Sequence, residues 1–169
     1  MNLLSKSLIV VAALSVSACT EGGLFGRGGA NDDALAPGAG AGVSDPTTVA
    51  YFQETVGDRV LFEVDQAVLT TSGQATLDAQ ASWLSDNPAY TAVVEGHADE
   101  QGTRQYNIAL GARRADAAKA YLVSRGVAEN RLSTVSFGKE RPLAICSDEA
   151  CYAQNRRAVT VLAAGGLAG

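Results

Sequence analysis

Residues 91–126 read TAVVEGHADEQGTRQYNIALGARRADAAKAYLVSRG, and this stretch decides the fold. The segment up to His97 is rich in β-branched residues, which predicts a strand that runs into a loop. Gly102 allows that loop to turn. From Thr103 to Arg125 apolar side chains recur on one face, which predicts a long helix, and Gly126 is typical of a residue that ends a helix.

Further strand and helix patterns lie on both sides of this unit. Thr70–Asn87 is predicted to be a helix, because Leu77, Ala81 and Leu84 recur with helical spacing. Three more strands are predicted at Arg59–Val64, Arg131–Phe137 and Arg156–Leu162. The order β-α-β-α-β-β predicts an α+β fold in which two main helices pack on one face of a four-stranded sheet.

The first 45 residues have a different composition. Residues 1–18 carry a lysine near the start, a short apolar run and small residues at the end, which predicts a secretory signal. The apolar run is about half of the roughly 20 residues that a membrane span needs. Residues 19–45 are rich in Gly, Ala and small polar side chains, which predicts a flexible tether. Residues 46–169 are the predicted folded domain.

Cys19 directly follows Val16-Ser17-Ala18, which resembles the lipobox of bacterial lipoproteins. The resemblance implies that Cys19 is lipidated and begins the mature chain, and several acyl chains anchor a protein firmly at about 0.8 kcal/mol per buried CH₂. Because Thr20 rather than Asp follows it, the resemblance also implies transport to the outer membrane, with the domain facing the periplasm. The alternative is a soluble secreted protein with a free thiol.

The overall composition excludes several classes of function. The chain has 13 Lys+Arg against 18 Asp+Glu and a net charge of −5, which argues against a nucleic-acid partner. One histidine and three cysteines are too few for a His-rich metal site or a Cys₄ zinc site.

Cys146 and Cys151 are the remaining cysteines if Cys19 is lipidated. In an oxidising compartment they most simply form a disulfide, provided that their Cα atoms lie within roughly 4.4–6.8 Å. A metal half-site of the C-x₄-C type is the alternative, although further ligands for it are lacking.

Asp99 follows the predicted strand and Arg114 lies on the next helix. Asn107, Gly111 and Arg114 are four and then three positions apart, so they share one helical face. A carboxylate and a guanidinium that flank a pocket suit a zwitterionic ligand, because Asp99 accepts from an ammonium and Arg114 binds a carboxylate through two N–H groups. The two side chains can instead pair with each other as a structural ion pair.

Three segments, GHADEQGTRQYNIALGARRA, VSFGKERP and AQNRRAVTV, resemble the OmpA-like peptidoglycan-binding domain family, and the likeness covers residues from about 58 to 163. It implies a mixed sheet and non-covalent binding of peptidoglycan, without a cofactor, through the meso-diaminopimelate of the stem peptide. The family's binding residues fall on Asp99, Arg114, Phe62, Asp65, His97, Asn107 and Leu110. Close relatives often carry Phe where Val64 stands.

The likeness to the lipoproteins of this family also implies protein partners. These are TolB and other Tol proteins of the Tol-Pal system, which acts in envelope integrity and cell division. The family's TolB-binding and wall-binding surfaces overlap, so the two partners are expected to exclude each other. The chain is therefore predicted to be a binding protein that links the outer membrane to the wall, and not an enzyme.

Other interpretations of the same residues stay open at this point. Glu95, Asp99 or Glu100 could serve as acid and base in a wall hydrolase, and a structural lipoprotein could bind only other proteins. His97 could ligate a metal together with Glu95 and Asp99, but a hydrogen-bonding role that orients the loop is favoured. Arg156 or Arg157 could line the ligand groove or lie at a solvated edge.

Overall fold

The computed structural model describes residues 44–164. The predicted signal, Cys19 and nearly all of the predicted tether lie outside the described residues. The helices are α1 (Val49–Tyr51, continued by a π-helical turn at Phe52–Gly57), α2 (Thr71–Asp86), α3 (Arg104–Ser124) and α4 (Glu149–Asn155), with a 3₁₀ turn at Glu129–Arg131. The strands are β1 (Arg59–Leu61), β2 (Tyr90–His97), β3 (Leu132–Gly138) and β4 (Arg157–Ala164).

These strands form one mixed sheet in the order β1-β4-β2-β3. β4 is antiparallel to both of its neighbours, whereas β2 and β3 are parallel. A parallel pair needs a long crossover connection, and α3 supplies it. The predicted α+β fold with a mixed four-stranded sheet is confirmed.

The core lies between the sheet and the two long helices. Alternate residues of β2, Ala92 and Val94, are buried, and they share one cluster with side chains of α2 and α3. The helical side chains of this cluster are Leu77, Ala81, Trp83, Leu84, Ala115, Ala118 and Leu122. Because the described residues contain a continuous core of their own, we expect this domain to fold without the preceding segment.

Gly96 of β2 and Gly111 of α3 meet backbone to backbone. A Cβ built on Gly96 would lie 2.6 Å from the carbonyl carbon of Gly111 and closer still to its oxygen. There is no space for a side chain at this contact, so α3 lies directly on the end of β2. This close approach brings Asn107 and Arg114 next to the loop that follows β2.

The structure differs from the sequence prediction at three places. The segment before β1 is helical, with Phe52 fully buried and its ring centroid 4.9 Å from that of Trp83. β1 ends at Leu61 rather than Val64, because Asp65 at φ 56° turns the chain away from the sheet. α4 occupies a segment for which the sequence patterns predict no helix or strand, and Asp148 caps it. Among residues 44–164, no helix combines the length and apolar character needed to cross a membrane.

Candidate functional site

A cleft of about 240 Å³ opens where the loops after β1 and β2 meet the first turns of α3. We call it the Asp99 cleft. Its lining residues are Val64, Asp65, Asp99, Gln101, Gly102, Tyr106, Asn107 and Leu110. The residues predicted from sequence therefore divide into two sets: Asp65, Asp99, Asn107 and Leu110 line this cleft, and Phe62, His97 and Arg114 lie buried behind it.

Asp99 presents its carboxylate at the wall of the cleft. Oδ1 accepts a hydrogen bond from the backbone N–H of Gln101 (3.2 Å), and Oδ2 lies 3.3 Å from Nη1 of Arg156. The alternative that Asp99 pairs with Arg114 is wrong, because the ion-pair partner of Asp99 among the described residues is Arg156.

Asn107 holds the loop that carries Asp99. Its Nδ2 donates to the carbonyl oxygens of Asp99 (3.2 Å) and Gln101 (2.7 Å). Lys139, which directly follows β3, reinforces the same loop, because its Nζ donates to the carbonyl of Gly102 at 2.7 Å. Leu110, one helical turn beyond Asn107, adds an apolar surface to the cleft.

Arg114 has no exposed surface. Its Nε donates to the carbonyl of Gln66 (2.8 Å), Nη1 to that of His97 (2.9 Å) and Nη2 to that of Glu63 (3.1 Å). The predicted open position of Arg114 opposite Asp99 is therefore corrected: the loop after β1 covers the guanidinium and binds it through backbone carbonyls. Burial lowers the pKa of Arg114 to about 10, while the nearby charge of Asp99 opposes that shift.

Phe62 belongs to the core and not to the cleft lining. Its ring lies beneath the guanidinium of Arg114, with 5.3 Å between the guanidinium carbon and the ring centroid, and Phe62 is 3% exposed.

The rim of the cleft is formed by the loop after β1. Asp65 accepts a hydrogen bond from the hydroxyl of Tyr106 across the mouth of the cleft. Val64 is 53% exposed and lines the cleft, so an apolar side chain stands at that rim.

His97 is buried, and among the described residues neither ring nitrogen has a hydrogen-bond partner. The prediction that its side chain orients the loop by hydrogen bonding is therefore wrong. The ring stacks on Phe137 instead, with centroids 5.6 Å apart. Burial, followed by the charges of Arg157 and Arg141, lowers the pKa of His97 to about 4, so the ring is neutral at pH 7.

The hypothesis of a metal site at Glu95, His97 and Asp99 gains no support from the geometry. Glu95 Oε2 lies 3.6 Å from His97 Nε2, whereas Asp99 faces Arg156. In the described part of the chain, the grouping with metal-ligand spacing is Cys146, Asp148 and Cys151. Its two sulfurs are joined in the predicted disulfide, with Cα atoms 5.9 Å apart, so they are not free to ligate a metal.

Arg156 and Arg157 are both buried rather than solvated. Arg156 contacts Asp99 on one side and Glu149 of α4 on the other, and its Nε donates to the carbonyl of Phe62 (3.2 Å). Arg157 donates to the carbonyl of Arg141 (3.1 Å), away from Asp99.

Sequence reasoning missed Tyr106 and Gln101 as cleft residues. For Tyr106 a signal was present, because it precedes Leu110 by one helical turn and therefore shares its side of α3. The hydrogen bond to Asp65 raises the pKa of the Tyr106 hydroxyl, which stays protonated and able to donate. Gln101 acts through its backbone, which side-chain patterns do not reveal.

Residues 61–156 match the OmpA family. The chain is 54% identical to a peptidoglycan-associated lipoprotein of Rhizobium meliloti over 135 residues, which is 80% of this chain and 77% of the relative. It is 42% identical to that of Haemophilus influenzae over 160 residues, 94% of this chain and 98% of the relative. The crystal structure of the peptidoglycan-associated lipoprotein from Burkholderia pseudomallei is similar to this one, with a TM-score of 0.65 at 36% identity, over 70% of this chain and 100% of that chain. The C-terminal domain of Helicobacter pylori MotB shares the fold at 21% identity and a TM-score of 0.59, over 63% of this chain and 84% of that chain.

Proposed function

The chain belongs to the OmpA family, and from that premise we propose that it is a lipoprotein that binds peptidoglycan without cleaving it. The proposed ligand is the meso-diaminopimelate of the stem peptide, whose side-chain end carries a free amine and a carboxylate. The observation that carries the proposal is the Asp99 cleft, where a carboxylate borders the opening and a guanidinium lies directly behind it.

The amine of the ligand is proposed to bind Asp99. Asp99 and Asp65 place two carboxylates on the lining of one small cleft, and an ammonium forms charge-assisted hydrogen bonds with such acceptors. Leu110 and Val64 offer apolar surface to the methylene groups between the two ends of the ligand. The backbone around Asp99 is already held by Asn107, so binding costs little conformational entropy in this loop.

The carboxylate of the ligand is proposed to reach Arg114. In the unliganded structure the carbonyls of Glu63 and Gln66 occupy Nη2 and Nε. A carboxylate that replaces these neutral carbonyls brings a full opposite charge to the guanidinium and can accept two parallel N–H groups, which a single carbonyl cannot do. The loop after β1 must move to allow this exchange, and the stronger hydrogen bonds offset the cost of that movement.

The remaining parts of the proposal concern attachment and partners. Residues 1–18 act as a signal, Cys19 carries the lipid in the outer membrane, and residues 19–45 let the domain reach the wall from the periplasmic side. A Gly-rich coil of about 26 residues has a root-mean-square span of roughly 25–30 Å. TolB and other Tol proteins are the proposed protein partners, in envelope integrity and cell division.

The decisive experiment is co-sedimentation of the domain (residues 44–169) with isolated peptidoglycan. We expect Asp99→Asn to weaken binding by about tenfold or more, because the ammonium loses its charged partner. Asp78→Asn is the matched control, since Asp78 also pairs with an arginine, Arg125, but lies outside the cleft. Equal binding by the wild type and Asp99→Asn would refute the proposed site.

Two further measurements separate this proposal from its alternatives. Amidation of the ligand's carboxylate should weaken binding of the wild type, because Arg114 then loses an anionic partner. Soluble muropeptides released from the wall during the incubation would indicate a hydrolase instead. A domain that leaves the wall intact and does not sediment with it would indicate a lipoprotein that binds only other proteins.

A further inference from the structure

Three charged side chains form a row that leads from the surface of α4 to the Asp99 cleft. Glu149, the first residue of α4, contacts Nη2 of Arg156, and Nη1 of Arg156 lies 3.3 Å from Oδ2 of Asp99. Glu149 begins α4 and Arg156 is the residue that directly follows it, so the two are seven residues apart, which is about two helical turns. The two side chains therefore extend from the same side of the helix and meet.

Glu149 changes the net charge that a ligand meets at Asp99. Arg156 is buried beside Asp99, and alone it would neutralise that carboxylate towards an approaching ammonium. Glu149 neutralises Arg156 in turn, so that the row keeps one net negative charge. Although burial lowers the pKa of Arg156, its hydrogen bonds to Glu149 and Asp99 raise it overall, so Arg156 stays charged.

An ion pair of this kind is weak unless its exposed partner is held in place. The side chain of Glu149 is 66% exposed, and ordering a long exposed side chain cancels much of the gain from pairing. Two features order the first turn of α4. Asp148 accepts a hydrogen bond from the backbone N–H of Cys151 (3.0 Å), and Cys151 is joined to Cys146 in the preceding loop.

We propose that the Cys146–Cys151 disulfide and Glu149 act together as positioning groups for the Asp99 cleft. The disulfide fixes the first turn of α4, Glu149 then holds Arg156, and Arg156 orients the carboxylate of Asp99 without cancelling its charge. The inference rests on the proposed function, because it describes how this cleft attracts the amine of its ligand. It assigns a binding role to α4, which does not line the cleft.

The test titrates the domain (residues 44–169) with meso-diaminopimelate by NMR at low salt. We expect Glu149→Gln to weaken binding about fivefold, because a charge one arginine away from the site acts through a partly aqueous path. Raising the salt to about 0.5 M should reduce the difference in affinity between the wild type and Glu149→Gln, because the screening length at that ionic strength is only about 4 Å. Glu149→Asp should restore part of the affinity. Glu129→Gln is the matched control: Glu129 also forms an exposed ion pair, with Lys119 at 3.3 Å, and should leave binding unchanged.

The disulfide is tested by Cys146→Ala/Cys151→Ala alone and combined with Glu149→Gln. We expect the cysteine variant to weaken binding two- to threefold, because the exposed side chain of Glu149 is then no longer held against Arg156. In the Glu149→Gln background the cysteine substitutions should cause no further loss of affinity. Equal binding by Glu149→Gln and Glu129→Gln would overturn the proposal, as would an undiminished effect of the cysteine variant in the Glu149→Gln background.

Hydrogen exchange of the Arg156 side-chain N–H groups gives a readout that needs no ligand. We expect exchange to accelerate in Glu149→Gln and in the cysteine variant, and not in Glu129→Gln. If the exchange rate is unchanged in both Glu149→Gln and the cysteine variant, the proposed coupling of α4 to Arg156 is refuted, even if ligand binding falls. If the wild type fails to bind both diaminopimelate and isolated peptidoglycan, the proposed function fails, whereas the coupling of α4 to Arg156 is still decided by exchange.

Discussion

Gly96→Ala tests the contact that places α3 on the sheet. The new Cβ would lie 2.6 Å from the carbonyl carbon of Gly111 and 3.2 Å from the Cβ of Ala115, whereas ordinary contact begins at 3.4 Å. The backbone of α3 must therefore retreat from β2 by about 0.8 Å or more, taking 3.4 Å as the contact distance. Inserting a methyl group into a well-packed core costs about 1–3 kcal/mol when side chains can adjust. Here backbone opposes backbone, so we expect the free energy of unfolding to fall by about 3 kcal/mol.

Urea denaturation measures this loss, as a lower midpoint with an unchanged slope. Gly73→Ala is the matched control, because its Cβ would meet only side-chain atoms, the nearest being the capping hydroxyl of Thr70 at 3.2 Å, and alanine favours a helix over glycine by about 1 kcal/mol. We expect that variant to lie within about 1 kcal/mol of the wild type. Peptidoglycan binding should fall in Gly96→Ala, since Asn107 moves away from the loop that carries Asp99. Equal stability of the two variants would refute the reasoning.

Three further predictions concern residues in and around the site. His97 has a pKa of about 4 in the folded state instead of its usual 6.5, so unfolding takes up a proton at pH values between the two. The free energy of unfolding should therefore fall by up to about 3 kcal/mol as the pH drops from 6.5 to 4. His97→Leu should flatten this pH dependence, measured by urea titration at each pH. Tyr106→Phe removes the hydrogen bond to Asp65 and should weaken co-sedimentation about threefold with little change in Tm, because the hydroxyl is at the surface; unchanged sedimentation would contradict this. Asn155→Ala leaves three backbone groups of Leu143 and Ala144 without their side-chain partner and should lower the free energy of unfolding by about 2–3 kcal/mol, measured in urea.

The long elements could be predicted because their signals are local. Leu77, Ala81 and Leu84 recur at helical spacing and are all buried. The same holds for Ala115 and Leu122 of α3. The helix before β1 and α4 could not be predicted from such periodicity. Phe52 is buried through contact with the distant Trp83, and α4 depends on a cap and a disulfide over only seven residues.

Part of the cleft lining could be predicted from the sequence, but the geometry of the cleft could not. The positions of Asp99, Asn107 and Leu110 follow from a strand end and a helix face, and all three line the cleft. Arg114 shares that helix face, but its surroundings are set by carbonyls of residues 48 and 51 positions away along the chain, Gln66 and Glu63. Backbone acceptors have no sequence signature, so spacing alone could not show that the guanidinium is covered.

The distribution of charge around the cleft bears on how a zwitterion would be bound. The cleft is lined by Asp65, which is exposed, and by Asp99, which is 8% exposed, whereas Arg114 and Arg156 are 0% and 4% exposed and do not line it. An amine therefore meets complementary charge on first contact, while a carboxylate meets it only after the carbonyls of the loop after β1 are displaced. Under the proposed function, the amine binds first and holds the ligand beside the loop, which turns the exchange at Arg114 into an intramolecular step. A dicarboxylate without the amine lacks that first contact and must open the loop against two carboxylates of its own sign. Such a ligand should therefore bind far more weakly than diaminopimelate even though Arg114 is intact.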